Sequence, residues 1–143
     1  MILLDVNVVV AAHHHDHPQH EIVRPWFDEL MAGRDPFGVP ATVWASAVRL
    51  VTNRRIFEVP ATPKDAFAFI RAVVAQPSYQ AIEPGPRHLA VFEAVCTSAD
   101  ARADLVPDAF LAALAIENAA TVASFDRDFA RFEGLDWIIP ASR

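Results

Sequence analysis

The chain is poor in cysteine, and it contains no long apolar run. Its single cysteine, Cys96, excludes an internal disulfide and suits a reducing compartment. The longest apolar run falls far short of the roughly 18 residues that a membrane-spanning helix needs. The first residues, MILLDV, have neither a basic segment nor a small-residue cleavage site, so they do not resemble a signal peptide. We therefore expect a cytoplasmic protein that does not enter a membrane.

Positive charge is also scarce. The chain has 12 basic and 18 acidic residues, a net charge of −6, which argues against affinity that rests on a broad basic surface. Lys64 is the only lysine, and the codon usage of a high-GC genome explains this more simply than a need for bidentate phosphate contacts. Apolar residues, by contrast, make up 53% of the 143 residues, which excludes extensive disorder. We expect residues 1–143 to form a single domain.

Short apolar runs alternate with helical patterns along the chain. Strands are predicted over residues 2–6, 121–125 and 136–140, with a further short strand within 79–86. Helices are predicted over residues 8–12, with Asn7 as N-cap, and over 19–32, 41–53, 62–75, 87–98 and 107–119, with a helical turn or two in 126–132. The stretch GRDPFGVP at 33–40 is predicted to be a turn-rich connection. This alternation is typical of an α/β domain whose mainly parallel sheet is flanked by helices.

Aspartates follow the predicted strands at their carboxyl ends, where open parallel sheets form their sites. Asp5 ends the first strand, Asp126 directly follows TVASF, and Asp128 comes two residues later. Asp108 lies in the first turn after Pro107, on the face of that helix that packs inward. Each has a structural alternative, because Asp108 can complement a helix N-terminus, Asp126 can be an N-cap, and Asp128 can be a solvated loop acid. Asp5 is harder to explain, since strand interiors disfavour aspartate.

Converging carboxylates need a cation. Two carboxylates ~4 Å apart repel by roughly 4 kcal/mol at an effective dielectric constant of about 20, and a divalent ion reverses the sign of that energy. Ligation by oxygen alone favours Mg²⁺ or Mn²⁺ over zinc. Such a site polarises a phosphoryl oxygen and activates water, which is the chemistry of phosphodiester hydrolysis.

Three motifs contain these aspartates: LLDVNVVVAA (3–12), LVPDAFLAALAIE (105–117) and VASFDRDFARF (122–132). In this order they resemble the motifs of PIN-domain ribonucleases, and most closely those of the VapC-type toxins of bacterial toxin–antitoxin pairs. HPQHEIVRPWFDEL and VWASAVRLVTNRRIF are similar to the intervening helices of mycobacterial members. The resemblance implies a single PIN-like α/β/α domain with Mg²⁺- or Mn²⁺-dependent endoribonuclease activity. It also implies an RNA substrate, a cognate VapB-like antitoxin and a homodimer.

The same resemblance assigns the site residues. Asp5, Asp108 and Asp126 fall on catalytic and metal-binding positions, joined by Asp128 as a metal ligand, with Asn7 and Ser124 as supporting polar residues. One position departs from the family. Many members carry a glutamate three residues before an arginine, but here Ser46 precedes Arg49 at that spacing. Three or four aspartates with water then hold the metal, or Asp104 contributes from its loop, or the site is impaired, and the number of ions stays open.

Two other function classes compete with a nuclease. The first is a catalytically impaired module that only binds RNA or an antitoxin, and Ser46 is its main support. The second is a phosphatase with an aspartyl nucleophile at Asp5. Such enzymes place a second aspartate where this chain has Asn7, and they need a lysine near the phosphate. Lys64 starts a helix away from any strand end, so this second class is disfavoured.

Three further segments have open roles. Arg49, Arg54 and Arg55 lie on the helix that carries Ser46 and at its end, where they could contact RNA phosphates, pair with acids or complement a helix C-terminus. HHHDHPQH (13–20) lacks the ligand spacing of a structural zinc site, so we expect a polar loop near the rim of the active site. The apolar helix over 63–75 could supply a dimer interface or only core.

Overall fold

A four-stranded parallel sheet forms the centre of the protein, for which a computed structural model describes residues 1–141. The strands are β1 (Ile2–Leu4), β2 (Phe37–Gly38), β3 (Thr121–Ala123) and β4 (Asp136–Ile138), in the order β2-β1-β3-β4. β1 is central, because Leu3 is in register with Gly38 on one side and with Val122 on the other. The predicted parallel α/β fold is therefore confirmed.

Helices connect the strands and cover the sheet. They are α1 (Val6–His13), α2 (His20–Ala32), α3 (Ala41–Val51), α4 (Pro63–Val74), α5 (His88–Ala99) and α6 (Leu105–Glu117), followed by a short 3-10 helix over Arg127–Arg131. α1 packs against α2 and α3, and α5 packs against α6. The core lies where α1 and α6 meet β1 and β3, and Leu4, Val8, Leu114 and Val122 are fully buried there. No helix within residues 1–141 is long and apolar enough to cross a membrane.

The junction between β1 and α1 differs from the prediction. The strand ends at Leu4, and the helix begins at Val6, so the expected strand over 2–6 was too long. Asp5 is the N-cap of α1, and its side chain accepts the backbone N–H of Val6. Asn7 is therefore not the cap. The abrupt change from strand to helix is possible because the aspartate carboxylate satisfies the first free N–H group of the helix.

The stretch predicted to be a turn-rich connection contains β2. Phe37 is fully buried, and its backbone N–H donates to the carbonyl of Ser78, while its own carbonyl accepts the N–H of Gln80. The strand predicted within 79–86 is reduced to a single bridge between Tyr79 and Phe37. The segment around residue 79 therefore follows the edge of β2 without forming a strand of its own.

The remaining helices agree with the prediction, apart from their ends. α6 begins at Leu105, two residues before Pro107, and ends at Glu117 rather than at Ala119. Proline is tolerated there because the first helical N–H groups have no partner within the helix. The expectation of a single domain over 1–143 stays a prediction, and residues 142–143 lie outside the described residues.

Candidate metal-binding active site

Asp5 lies at the carboxyl end of β1 with both carboxylate oxygens in hydrogen bonds. Its Oδ1 accepts the N–H of Val6 at 2.7 Å, and its Oδ2 accepts the hydroxyl of Ser124 at 2.6 Å and Nδ2 of Asn7 at 3.1 Å. Only 6% of the residue is exposed. Burial raises the pKa of Asp5 above its usual value, although the hydrogen bonds from Ser124 and Val6 oppose this, and the nearby charge of Asp126 raises it further.

Ser124 joins this carboxylate to the chain that follows β3. Its Oγ accepts the backbone N–H of Asp126 at 3.0 Å and Nδ2 of Asn7 at 2.9 Å, in addition to donating to Asp5. Asn7 in turn accepts the N–H of Phe125 through Oδ1 at 3.2 Å. The structure thus brings Asn7, Ser124 and Asp5 together. The network fixes the start of the loop that carries the next acidic residues.

A cluster of three carboxylates lies beside Asp5. Asp108, in the first turn of α6, and Asp126 and Asp128, after β3, each offer a carboxylate oxygen, and these atoms lie within 4.8 Å of one another. Asp126 is also the N-cap of the 3-10 helix, since its Oδ1 accepts the N–H of Asp128 at 2.8 Å. Burial, followed by the charges of Asp5, Asp126 and Asp128, raises the pKa of Asp108 to about 7. The four acidic side chains therefore act on one another electrostatically.

The cluster has the donor set of a hard divalent cation. Oxygen ligands on opposite sides of Mg²⁺, at ~2.1 Å each, lie ~4.2 Å apart. The carboxylate oxygens of Asp108, Asp126 and Asp128 lie within 4.8 Å of one another, close to that spacing, so these three residues fit such an ion. Asp5 is not one of these three clustered residues, and its direct ligation of a metal stays a prediction.

A cleft of about 300 Å³ opens beside the carboxylates. Asp5 and Asp108 line it, together with Thr42 and Ser46 of α3. Ser46 thus lies in the site at the place where the resemblance puts a glutamate. Thr42 was missed by sequence reasoning, although it precedes Ser46 by four residues, the spacing that places two side chains on one helix face.

The aromatic residues of the cleft were also missed. Phe92 of α5 and Phe110 of α6 line it, and no pattern in the sequence separates them from ordinary core aromatics. Asp104 is exposed and belongs neither to the cleft lining nor to the carboxylate cluster, so its supporting role stays a prediction.

The three arginines that follow Ser46 are exposed. Arg49 lies in the last turn of α3, and Arg54 and Arg55 follow that helix. None of them takes part in the ion pairs found within residues 1–141. Contact with RNA and interaction with the C-terminus of a helix therefore both stay predictions for these residues.

The histidine-rich loop is not at the rim of this site. It follows the carboxyl end of α1, and the eight residues of that helix, about 12 Å long, separate it from Asp5. His14 stacks on Phe57 with ring centroids 3.7 Å apart, and its Nε2 donates to the carbonyl of Val59 at 3.0 Å. The Nδ1 of His20 donates to the carbonyl of Ala11 at 2.6 Å. These histidines tie the loop to its neighbours, and the expectation of a loop near the active site was wrong.

Comparisons with known proteins agree with one another on the family and the fold. Residues 2–135 match the profile of the PIN domain. The chain is 57% identical over 140 residues to ribonuclease VapC25 of Mycobacterium tuberculosis, covering 98% of this chain and 99% of that protein. The crystal structure of VapBC2 from Rickettsia felis, bound to a DNA fragment from its promoter, has a similar fold, with a TM-score of 0.70 and 16% identity over 97% of this chain and 98% of that one. A toxin–antitoxin complex from Klebsiella pneumoniae also shares the fold, with a TM-score of 0.61 and 14% identity over 100% of both chains.

Proposed function

The chain belongs to the PIN-domain family, and from this premise we propose that it is a metal-dependent endoribonuclease toxin of the VapC type. Such an enzyme hydrolyses phosphodiester bonds in RNA. The observation that carries the proposal is the meeting of Asp108, Asp126 and Asp128 within 4.8 Å, next to the buried carboxylate of Asp5. The ribonuclease name of a relative with 57% identity over nearly the whole chain supports it.

Each acidic residue has a stated role in the proposed site. Asp108, Asp126 and Asp128 would hold Mg²⁺ or Mn²⁺, which when bound supplies an activated water and neutralises charge on the phosphate. Asp5 would be a further ligand of the ion, directly or through water, and hydrogen bonds from Val6, Asn7 and Ser124 hold its carboxylate in one orientation. Ser46 contributes a hydroxyl and no charge, so the four aspartates alone would balance the ion.

The impaired binding module has less support. Its main argument was Ser46 at the usual glutamate position. The carboxylate cluster within residues 1–141 forms without a contribution from that position. Burial and, after it, the charges of the other aspartates raise the pKa of Asp108, so these carboxylates lie close enough to act together on one ion.

We further propose a VapB-type antitoxin as partner. Proteins that share this fold include a toxin–antitoxin complex. An inserted arginine would complement the acidic cluster, since its guanidinium binds carboxylates with paired hydrogen bonds. The homodimer stays a prediction. Helix α4 leaves Phe67 and Val74 nearly half exposed, so it is not the purely core helix that was the alternative.

The test is RNA cleavage by the purified chain. We expect cleavage of total RNA with Mg²⁺ or Mn²⁺, none with EDTA, and a loss of at least about 100-fold in Asp108→Asn, as for removal of one charge-stabilising group. Asp35→Asn is the matched control, because Asp35 is an exposed aspartate outside the cluster. If the wild-type chain, well folded and free of antitoxin, leaves a broad set of RNAs intact with either metal, the impaired module is the better proposal.

A further inference from the structure

Two aromatic rings form part of the cleft wall beside the carboxylates. Phe92 and Phe110 come from different helices, and their rings meet edge to face with centroids 5.6 Å apart and an interplanar angle of 76°. Asp5 and Asp108 line the same cleft. Aromatic surface is therefore next to the place where a phosphate would be cleaved.

A buried histidine, His88, packs against both rings and is itself bound by Glu117. His88 stacks on Phe92 at 5.8 Å and meets Phe110 edge to face at 4.8 Å. Its Nδ1 lies 3.2 Å from a carboxylate oxygen of Glu117, and the other oxygen of Glu117 accepts the N–H of Gly85 at 3.1 Å. The side chains of His88 and Glu117 are each only 9% exposed. The proposed hydrolysis uses neither of them, and their contacts fix the positions of the two phenylalanines.

We propose that the cleft binds one unstacked nucleobase of the RNA, from a nucleotide next to the scissile phosphate. This inference rests on the proposed nuclease function and names its substrate class. A volume of about 300 Å³ is at the small end of ligand sites, which span roughly 300–1,000 Å³, so it suits one planar group rather than several nucleotides. Bases that leave their stack are held on aromatic side chains in RNA-binding proteins.

The hydroxyl groups of the cleft set its selectivity. Thr42 and Ser46 line it, and a hydroxyl both donates and accepts, so it can pair with the edge of any base. A carboxylate at position 46 would only accept, and it would repel the neighbouring phosphate. The cleft therefore selects a base that is free of its helix more than it selects the identity of that base. Single-stranded and loop RNA fit this requirement, whereas a continuous duplex does not.

The first experiment compares variants on substrates that lack one base. The cleavage site is mapped on total RNA, and oligonucleotides with that site receive an abasic nucleotide at each flanking position in turn. We expect Phe92→Leu and Phe110→Leu to lower kcat/KM by about 5- to 150-fold on the intact oligonucleotide, the scale of ~1–3 kcal/mol per stacked base. One abasic position should lower wild-type cleavage equally and remove the difference between wild type and variants.

The matched control is Phe67→Leu, which changes a phenylalanine 48% exposed in a separate groove between α3 and α4. It should cleave every oligonucleotide as wild type does, and thermal melting should show that all three variants fold. Loss of activity in Phe92→Leu that persists at every abasic position would overturn the base site while leaving the nuclease intact.

A binding measurement tests the proposed base site independently of RNA cleavage. Asp108→Asn protein is mixed with oligonucleotides that carry fluorescent 2-aminopurine at successive positions, in the presence of Mg²⁺. Stacking on the phenylalanines should quench one position, and adding Phe92→Leu to this background should abolish the quenching. Equal quenching in both proteins would overturn the base site, and failure of wild-type protein to cleave would separately overturn the proposed nuclease function.

Discussion

At the scale of single residues, the buried hydroxyl of Ser124 connects Asp5, at the end of β1, with the loop after β3 that begins at Asp126. It donates to Asp5 and accepts from Asn7 and from the backbone N–H of Asp126, and the residue is fully buried. Ser124→Ala removes these bonds and leaves buried donors without an acceptor, which costs about 1–3 kcal/mol. We expect the free energy of unfolding, measured by urea denaturation, to fall by about this amount. Ser98→Ala, at an exposed serine of α5, should leave it unchanged.

The same substitution should change the pH dependence of cleavage. The hydrogen bond from Ser124 lowers the pKa of Asp5, so its loss allows that pKa to rise further. The carboxyl would then stay protonated to higher pH, and the acid limb of the pH–rate profile should move to higher pH. Ser124→Thr keeps a hydroxyl and should restore the position of this limb, even if its added methyl group lowers stability. An unchanged limb in Ser124→Ala would show that Asp5 does not act through its ionised form.

Asp128 separates metal binding from the rest of the machinery. It is exposed, yet its carboxylate belongs to the three-residue cluster. Asp128→Asn should raise the Mn²⁺ concentration for half-maximal cleavage by about tenfold or more, the scale found for residues that support metal ligands. Saturating Mn²⁺ should recover much of the activity. The same metal requirement in Asp128→Asn as in wild type would remove Asp128 from the site.

The acidic side chains could be predicted from sequence because their positions follow from topology alone. Asp5 and Asp126 follow strands that lie side by side in a parallel sheet, so their proximity needs only that topology. Asp5 is both a residue of the acidic site and the N-cap of α1. The second role could not be predicted, since it depends on the strand ending at Leu4. The aromatic wall could not be predicted either. Phe92 and Phe110 are brought to the cleft by the packing of α5 on α6, which no local pattern specifies.

At the scale of elements, β2 is short, and its fit depends on a glycine. A Cβ atom on Gly38 would lie 2.8 Å from the backbone oxygen of Gln80 and 2.8 Å from a side-chain carbon of Ile82. Gly38→Ala must therefore displace the segment around residue 80, at a cost of about 1–3 kcal/mol. We expect thermal denaturation to show a lower Tm.

A second glycine provides the control for this substitution. At Gly134 an added Cβ meets nothing within 4 Å, but φ is +80°, so Gly134→Ala tests backbone strain without crowding. Ile82→Ala removes the crowded side-chain carbon, so it should lower the Tm less in Gly38→Ala than in wild type, and no such relief should be seen in Gly134→Ala. A Tm for Gly38→Ala equal to that of wild type would mean that the edge of β2 adapts without loss.

The same strand shows where sequence reasoning fails for elements. β2 has two residues, too few to display the alternation that identifies a strand, and prolines flank it at positions 36 and 40. Long helices such as α2 and α4 were predicted to within a residue at each end, because a repeated apolar spacing and terminal signals coincide there. The length of the periodic segment decides which elements the sequence reveals.

At the scale of the whole molecule, the net charge of −6 is partly concentrated in one place. Four aspartates meet at the carboxyl edge of β1 and β3, and the pKa values of Asp5 and Asp108 are both raised there. An acidic protein that acts on a polyanion needs a cation between the two. Stability, metal binding and substrate binding are therefore linked through the same carboxylates, and pH should act on all of them together.

Metal and pH should have opposite effects on thermal stability. Because the pKa of Asp108 is raised from 3.8 to about 7, the unfolded chain releases a proton that the folded chain retains between these values. The stability of the metal-free protein therefore falls as pH rises through this window.

Mn²⁺ removes the repulsion among the ionised carboxylates. At a hundredfold excess over its Kd it adds about 2.7 kcal/mol, which raises Tm by on the order of 10 °C for a chain of this size. We expect this rise in Tm at pH 8 and a much smaller one at pH 5.5, where protonated Asp108 competes with the ion. Asp108→Asn should weaken both the pH-dependent decrease and the gain from Mn²⁺, whereas Asp35→Asn, at an exposed aspartate outside the cluster, should preserve them. An equal gain at both pH values would contradict the link between the raised pKa and the metal site.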